Sequence, residues 1–390
     1  MLSQRVAGLK PSPTLSLTAK VAELRGQGEN IISFGAGEPD FNTPEEVCEA
    51  GIEAIRTGKT RYTAGAGIPE LRTAIAEKLA VENGVDVTPQ QVIVSCGAKH
   101  AVFNALMTLC DPGDEVILFA PYWMTYLDQV YLTGARAKVL YTSRANGYLP
   151  DPDALEEAIT PQTKAVLINS PCNPTGAVIP RSTMERIAEI VVRHDLWVIS
   201  DEIYEKLVYG DAEHVSIASL SPELAQRTVT VNGVSKSHAM TGWRIGYAAA
   251  PGEIASGMST LQDQVTSNAS SVSQYAALAA LRMPCAKVDV HVREFEARRD
   301  LILEELCRLP DVPCVRPQGA FYAFADVSAY TNSEFDDLAL SHKLLSDHKV
   351  ACVPGSVFEG PGHLRLTYAL DRPDIVEGMR RIAEGLQSLR

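Results

Sequence analysis

Short apolar runs alternate along this chain with stretches in which apolar residues recur every three or four positions. Seven of the runs (92–95, 115–120, 137–141, 164–169, 196–200, 228–232 and 246–250) have the length and boundaries of buried strands. Amphipathic helices are predicted over 45–56 and 69–83, and helical patterns dominate 260–309. From 312 onward the pattern is mixed. Strands separated by helices imply βαβ units, so the expected fold is α/β: a mostly parallel seven-stranded sheet flanked by helices, with a smaller α+β domain. The segment around Pro11 and Pro13 reads as an extended arm, because X-Pro steps disfavour helix. With no Gly/Ser linker, repeat or low-complexity stretch, the lobes should pack closely. The expected division is an N-terminal arm with part of the small domain (1–45), a large domain (46–285) and a C-terminal small domain (286–390).

Composition narrows the function. The 390 residues carry 35 Lys and Arg against 48 Asp and Glu, a net charge of −13. Such a chain is repelled by phosphate backbones and anionic membranes, so neither nucleic acid nor membrane is an expected partner. Small anions can still be held by local positive sites. There is no 18-residue apolar run to span a bilayer, and the N-terminus has no apolar signal region. Eight cysteines are scattered without a CxxC pair or a Cys/His cluster at metal spacing, which suggests reduced thiols, a cytoplasmic protein and no bound metal.

Position then singles out a site. SCGAKH follows the first predicted strand, NSPCNPTG the fourth, SDEIYE the fifth and NGVSK the sixth. In open α/β sheets ligands bind beyond the carboxyl ends of the strands, so these four sequences should converge on one pocket.

Taken singly, their residues are ambiguous. Lys236 reads either as a surface lysine or as an amine kept partly desolvated to form a Schiff base with an aldehyde. Asp201, at the end of an apolar run, caps a helix or pairs with a cationic ring nitrogen, and Tyr204 would offer a phenol to the same ligand. Asn173 in NPTG is a turn residue or a ligand contact. Gly97, Ala98 and Lys99 open a helix whose N–H groups would face an anion, and Arg244 would supply a bidentate charge to it. Trp123 is a core aromatic or a stacking face. Arg365 sits within an apolar alternation, where it needs a carboxylate from the fold or from a substrate. Together they form the parts of a pyridoxal phosphate site.

The motifs LKPSPTLSLTAK, GAGEPDF, RYTAGAGIPELR, NSPCNPTG, SDEIYE, SKSHAMTGWRIGY and GHLRLTYAL run in order over almost the whole chain. In these the sequence resembles the fold-type I, class I aminotransferases, in the branch holding aspartate and prephenate aminotransferases. The resemblance implies pyridoxal 5′-phosphate as cofactor. It implies that Lys236 forms the Schiff base and then moves the proton between substrate Cα and cofactor C4′. Asp201 would keep the pyridine nitrogen protonated, and Asn173 and Tyr204 would hydrogen-bond O3′. Gly97, Ala98, Lys99, Ser235 and Arg244 would surround the phosphate while Trp123 stacks on the ring. Tyr62 would reach the phosphate of a neighbouring subunit, so a homodimer is expected. The substrate α-carboxylate would lie on Arg365, assisted by Asn173, Trp123 and the Gly37 backbone. Lys10, from the partner subunit's arm, would favour dicarboxylic substrates, with Lys99 a second cation nearby. Aspartate and 2-oxoglutarate are the expected substrates, with prephenate an alternative acceptor. An aminotransferase of aromatic or neutral specificity, a C–S lyase and a non-catalytic effector module are further readings. Departures from the family pattern are His100 where Gln is usual, His238 where an aromatic is usual, and Cys96 at a variable position.

Overall fold

The computed structural model describes residues 2–9 and 11–389. Its strands are β1 (Ile32–Ser33), β2 (Val92–Ser95), β3 (Glu115–Ala120), β4 (Arg136–Tyr141), β5 (Thr163–Asn169), β6 (Trp197–Asp201), β7 (Thr228–Gly233), β8 (Gly246–Ala249), β9 (Tyr322–Asp326), β10 (Val350–Ala351), β11 (Val353–Pro354) and β12 (His363–Thr367). Seven of them form one sheet in the order β2-β8-β7-β6-β5-β3-β4, and only β8 runs antiparallel to its neighbours. All seven expected strands are present, each within a residue or so of its expected bounds.

The apolar runs are continuous because both faces of this sheet are covered. Val116 and Leu118 point into the layer that holds the helices Ala98–Leu109 and Gly252–Val265, while Ile117 between them points to the helix Arg181–Arg193. Alternate residues thus serve opposite layers, and each fully buried Val, Ile or Leu contributes about 1.5–3 kcal/mol.

Chain order places the site. From β5 the chain steps to β6 and β7 in one direction, whereas β3 and β4 lie on the other side, so the order reverses between β3 and β5. The carboxyl ends of β2, β5, β6 and β7 share one edge of the sheet. Because β8 runs the opposite way, its first residue also lies there, with Gly246 opposite Gly233 and Ser95.

Beyond the large sheet, β11, β12 and β9 form an antiparallel sheet, and β1 pairs in parallel with β10. The N-terminal segment is thereby tied to the C-terminal part of the chain. Two local expectations need correction. Pro13 is the first residue of the helix Pro13–Gly26 and a short helix covers Gln4–Ala7, so around the two prolines Pro11 and Ser12 lie outside helix. Proline is tolerated at a helix's first position because the first helical N–H has no partner within the helix. The second helix is regular over Pro69–Lys78 and then widens into a π-turn over Leu79–Asn83. No helix among the described residues is long and apolar enough to cross a membrane.

Candidate active site

The sheet edge collects the polar sequences that were expected to converge. Lys236 lies three residues past β7, half-buried, and its ammonium donates to the Gly37 carbonyl at 2.6 Å. Burial pushes its pKa down to about 8, with Glu38 opposing and Arg244 and Arg365 reinforcing the shift. An amine in that range is free to act as a nucleophile near neutral pH.

Asp201 ends β6 and is 3% exposed. No helix follows it, so it is not a helix cap. One carboxylate oxygen accepts from the Ile203 N–H at 3.2 Å, and the other from the Tyr126 hydroxyl at 2.7 Å. These neutral donors do not offset the loss of water, and burial raises the Asp201 pKa to about 6. Its main-chain carbonyl is held by the Asn169 side-chain amide at 3.0 Å and the Ser170 N–H at 3.3 Å.

Arg365 presents the opposite imbalance. Its side chain is buried at 2% exposure on β12, donating to Asn173 Oδ1 at 3.1 Å and the Gly35 carbonyl at 2.9 Å. The guanidinium lies over Tyr322 at 4.3 Å and Phe358 at 5.0 Å, and its Nε has no partner. No carboxylate among the described residues pairs with it. Asn173 is itself fixed through its N–H, which donates to Asn169 Oδ1 at 2.9 Å.

A third group of donors sits where β2 enters the helix Ala98–Leu109. Gly97 has φ of +88°, and a Cβ there would stand 2.5 Å from Arg244 Nη2, so glycine is required both by the backbone and by the close approach. A Cβ on Gly246 would meet the Ala98 nitrogen at 2.1 Å, so β8 passes directly against the helix start. Arg244 donates to the Thr241 carbonyl at 2.8 Å and the Cys96 carbonyl at 3.5 Å. Its neighbour Trp243 is anchored to Thr43 Oγ1 at 3.0 Å. Lys99 lies 4.8 Å over the Trp123 ring, its pKa lowered by desolvation and by Arg244. Ser235 is buried close by in sequence to Lys236.

Tyr204 is buried with its hydroxyl 2.9 Å from that of Tyr322, and Lys236 Nζ is 5.9 Å from its ring. Tyr62 is 90% exposed. Lys10 lies outside the described residues. Of the departures, His100 accepts from the Cys96 N–H at 3.3 Å through Nδ1, leaving Nε2 without a partner. His238 is buried beside Ser237, and burial lowers its pKa to about 4, so it is neutral. It lines a cleft with Lys78, Tyr247 and Met283.

Three residues of the cluster escaped the sequence. Tyr126 follows Trp123 by three positions in PYWMTY, and that spacing was the available signal. Tyr322 and Asn169 gave none beyond their presence at a strand end.

The donor set fits pyridoxal phosphate on the structure's own terms. The cofactor carries an aldehyde for the depressed amine, a ring nitrogen that can be cationic for the under-compensated carboxylate, and a phosphate for the helix start and Arg244.

Comparison with known proteins agrees. The family model for aminotransferase class I and II matches residues 29–382. The chain is 49% identical to a probable aspartate/prephenate aminotransferase of Aquifex aeolicus, covering 100% of this chain and 99% of that protein. It is 46% identical to an aspartate aminotransferase of Geobacillus stearothermophilus, covering 98% of each. Among solved structures it is similar to the aspartate aminotransferase from Thermus thermophilus with maleate, with a TM-score of 0.95, 44% identity and 99% of each chain covered. The chain belongs to the class I and II aminotransferases. Its cofactor is pyridoxal 5′-phosphate.

Proposed function

We propose that this chain is an aspartate aminotransferase, moving the amino group of L-aspartate to 2-oxoglutarate and giving oxaloacetate and L-glutamate, with prephenate as a further acceptor. The observation that carries this is Arg365, a buried guanidinium that no carboxylate of the described chain satisfies. An amino or 2-oxo acid supplies the missing carboxylate. Relatives named aspartate or aspartate/prephenate aminotransferase, and a neighbour holding the dicarboxylate maleate, support diacid substrates.

When bound, the cofactor supplies the aldehyde that takes up the amino group and the ring that draws electrons from the substrate's Cα. Lys236 would be the amine that the aldehyde engages, and the group that would hold and return the Cα proton. Asp201 keeps a proton on the ring nitrogen, the state in which the ring attracts electrons. Asn173 and Tyr204 would bond the ring's hydroxyl oxygen and Trp123 would offer its face to the ring. Gly97, Ala98, Lys99, Ser235 and Arg244 hold the phosphate. Arg365, with Asn173, Trp123 and the Gly37 backbone, would hold and orient the α-carboxylate near Lys236. Lys10, reaching from a second subunit, takes the distal carboxylate, and Tyr62 crosses the same homodimer interface to the phosphate. The same reading divides the chain into an N-terminal arm with part of the small domain (1–45), a large cofactor domain (46–285) and a C-terminal small domain (286–390). All eight cysteines are free thiols, which fits the cytoplasm.

The deciding measurement is the absorbance of the holoenzyme on adding L-aspartate without an acceptor. The cofactor band should convert to that of its amine form and return with 2-oxoglutarate or prephenate, whichever is used. An unchanged spectrum removes aspartate as donor, and pyruvate released from cystathionine would point to a C–S lyase.

A further inference from the structure

Directly behind Asp201, on the face of β6 turned away from the site, lies a buried polar network that the reaction as described leaves without a role. Glu202 is 1% exposed and accepts from four side chains. Ser200 and Ser216 donate to one oxygen, each at 2.8 Å. The other oxygen takes His214 Nε2 at 3.1 Å and the Asn83 amide at 3.3 Å. Asn83 also donates to Glu205 at 2.5 Å, and Lys78 bonds both Glu205 and Asn83 Oδ1, the latter at 2.6 Å. The π-turn over Leu79–Asn83 brings Asn83 to this place, which gives the irregularity a purpose.

Two carboxylates and a histidine within 4.8 Å also have the composition of a metal site. The oxygens are already taken: those of Glu205 accept from Lys78 and Asn83, and those of Glu202 from Ser200, Ser216, His214 and Asn83.

We propose that the Glu202–His214 pair is a positioning device for Asp201, fixing where its carboxylate stands and keeping the charge beneath it balanced. Both halves follow from the geometry. Asp201 is gripped between Ser200 and Glu202, whose side chains bond to each other on the far face, and its carbonyl is held by Asn169 and Ser170. Glu202 cannot shift without leaving a buried carboxylate short of donors, so the residue before it is held with the tolerance a catalytic group needs. As to charge, Lys78 and a protonated His214 balance Glu202 and Glu205. Burial disfavours the charged imidazole, but Glu202 at hydrogen-bond distance, with Glu205 behind it, outweighs burial and raises the His214 pKa despite the opposing Lys78. Of the other elements packed here, the turn after β6 adds Lys206, the π-turn adds Glu82, and β8 adds the neutral phenol Tyr247. Lys206 and Glu82 pair with each other at 3.0 Å. An unprotonated or absent imidazole leaves one negative charge next to Asp201, whose affinity for a proton Glu202 already raises.

This inference rests on the aminotransferase reading and is tested on the holoenzyme through the pH titration of the bound cofactor's visible absorbance. In His214→Gln the extra negative charge should move the midpoint upward by about half a unit to one unit. In Glu202→Gln/His214→Gln the balance returns, and the midpoint should come back to within a few tenths of the wild type. A merely structural role predicts lower stability in both variants with no such reversal, and an unmoved midpoint in a folded His214→Gln protein overturns the proposal. Should that variant fail to fold, histidine proton NMR of the wild-type holoenzyme decides. One imidazole must remain protonated above the ordinary histidine range, and none doing so also overturns it. Failure of the aminotransferase reading would show separately, as wild-type protein that does not bind the cofactor or ignores every amino donor.

Discussion

Replacing Arg365 by Met separates what the guanidinium does for the fold from what it does for a ligand. In the fold its position is nearly balanced. Burying an ion costs several kcal/mol even after relaxation. Against this stand two charge-assisted hydrogen bonds, to Asn173 and Gly35, at about 1.5–3 kcal/mol each. The faces of Tyr322 and Phe358 add about 1–2 kcal/mol each. Methionine fills part of the same space without a charge to desolvate, so net stability should change by no more than about 2 kcal/mol, a few degrees in Tm for a chain of this size. Ligand binding has no such balance. Truncating one member of a buried, hydrogen-bonded charge pair costs about 2–5 kcal/mol, which is about 30-fold to about 5,000-fold in kcat/KM. The assay is the single-turnover change in cofactor absorbance with L-aspartate and with a neutral amino acid, alongside thermal unfolding. Both donors should lose comparably, since the α-carboxylate is common to them. A loss below threefold in a folded variant, or a collapse in Tm large enough to explain the lost activity, would refute the reasoning.

The other charged groups give predictions of their own. Lys236→Ala should fold as a dimer yet lose turnover, and borohydride should no longer fix the cofactor to the chain; a variant with normal rates would sink the mechanism. Because burial lowers the Lys236 pKa to about 8, cofactor loading into the apoprotein should quicken with pH and level off above about 8. A rate still climbing at pH 10 contradicts that. The Asp201 pKa is raised from 3.8 to about 6 in the apoprotein, so its contribution to stability is complete below about pH 4 and is lost as pH rises through 6. Asp201→Asn should therefore stabilise the apoprotein near neutrality by about 3 kcal/mol, with roughly half of that gain present by pH 5, as read by urea unfolding. Once cofactor is bound, the ring cation should reverse the order, and a holoenzyme stabilised by the same change would overturn the pairing. Lys10→Ala should cost aspartate turnover and spare a neutral amino acid; equal losses on both remove its role in diacid selection.

The large sheet was legible because its inner strands are buried on both faces and stand out as mostly apolar runs between helices, while the half-exposed edge strand β4 shows the same length and spacing with Lys138 within it. Lys236, Asp201, Asn173, Gly97 and Arg365 were legible as a group, since each falls at or just beyond a strand end or inside an apolar alternation where its polarity needs a reason, and Arg244 joined them through its place eight residues after Lys236. What was hidden depended on contacts between distant segments. Tyr126 reaches Asp201 across 75 positions of sequence, and Asn83 reaches Glu202 across 119. Nothing local to Asn83 reveals this, because it is the widened π-turn that swings its amide toward the end of β6. The helix beginning at Pro13 was missed for a different reason: proline forbids helix to the residue before it but favours a helix starting at itself.

Charge balance is what separates the site from the other buried ionic clusters of this molecule. Arg298 is 5% exposed, but Asp40 grips its guanidinium with both oxygens at 2.8 Å and Glu294 accepts from its Nε at 2.8 Å. Lys78 and Glu205 answer each other in the same way. Such pairs are complete within the chain, and adding a ligand to them would displace a partner rather than gain one. At the sheet edge the pairing is left open with both signs. Arg365 lacks an anion, Asp201 lacks a cation, and Arg244 with the start of the helix Ala98–Leu109 donates toward a point where carbonyls alone answer it. Each opening costs stability in the apoprotein, in line with burial raising the Asp201 pKa and lowering that of Lys236. That cost is recovered by a ligand set carrying anions for Arg365 and Arg244, a cation for Asp201 and an electrophile for Lys236. A phosphorylated pyridine aldehyde together with an amino acid meets all four conditions, and a net charge of −13 is no obstacle, because the attraction is local and the rest of the surface is screened beyond about 8–10 Å.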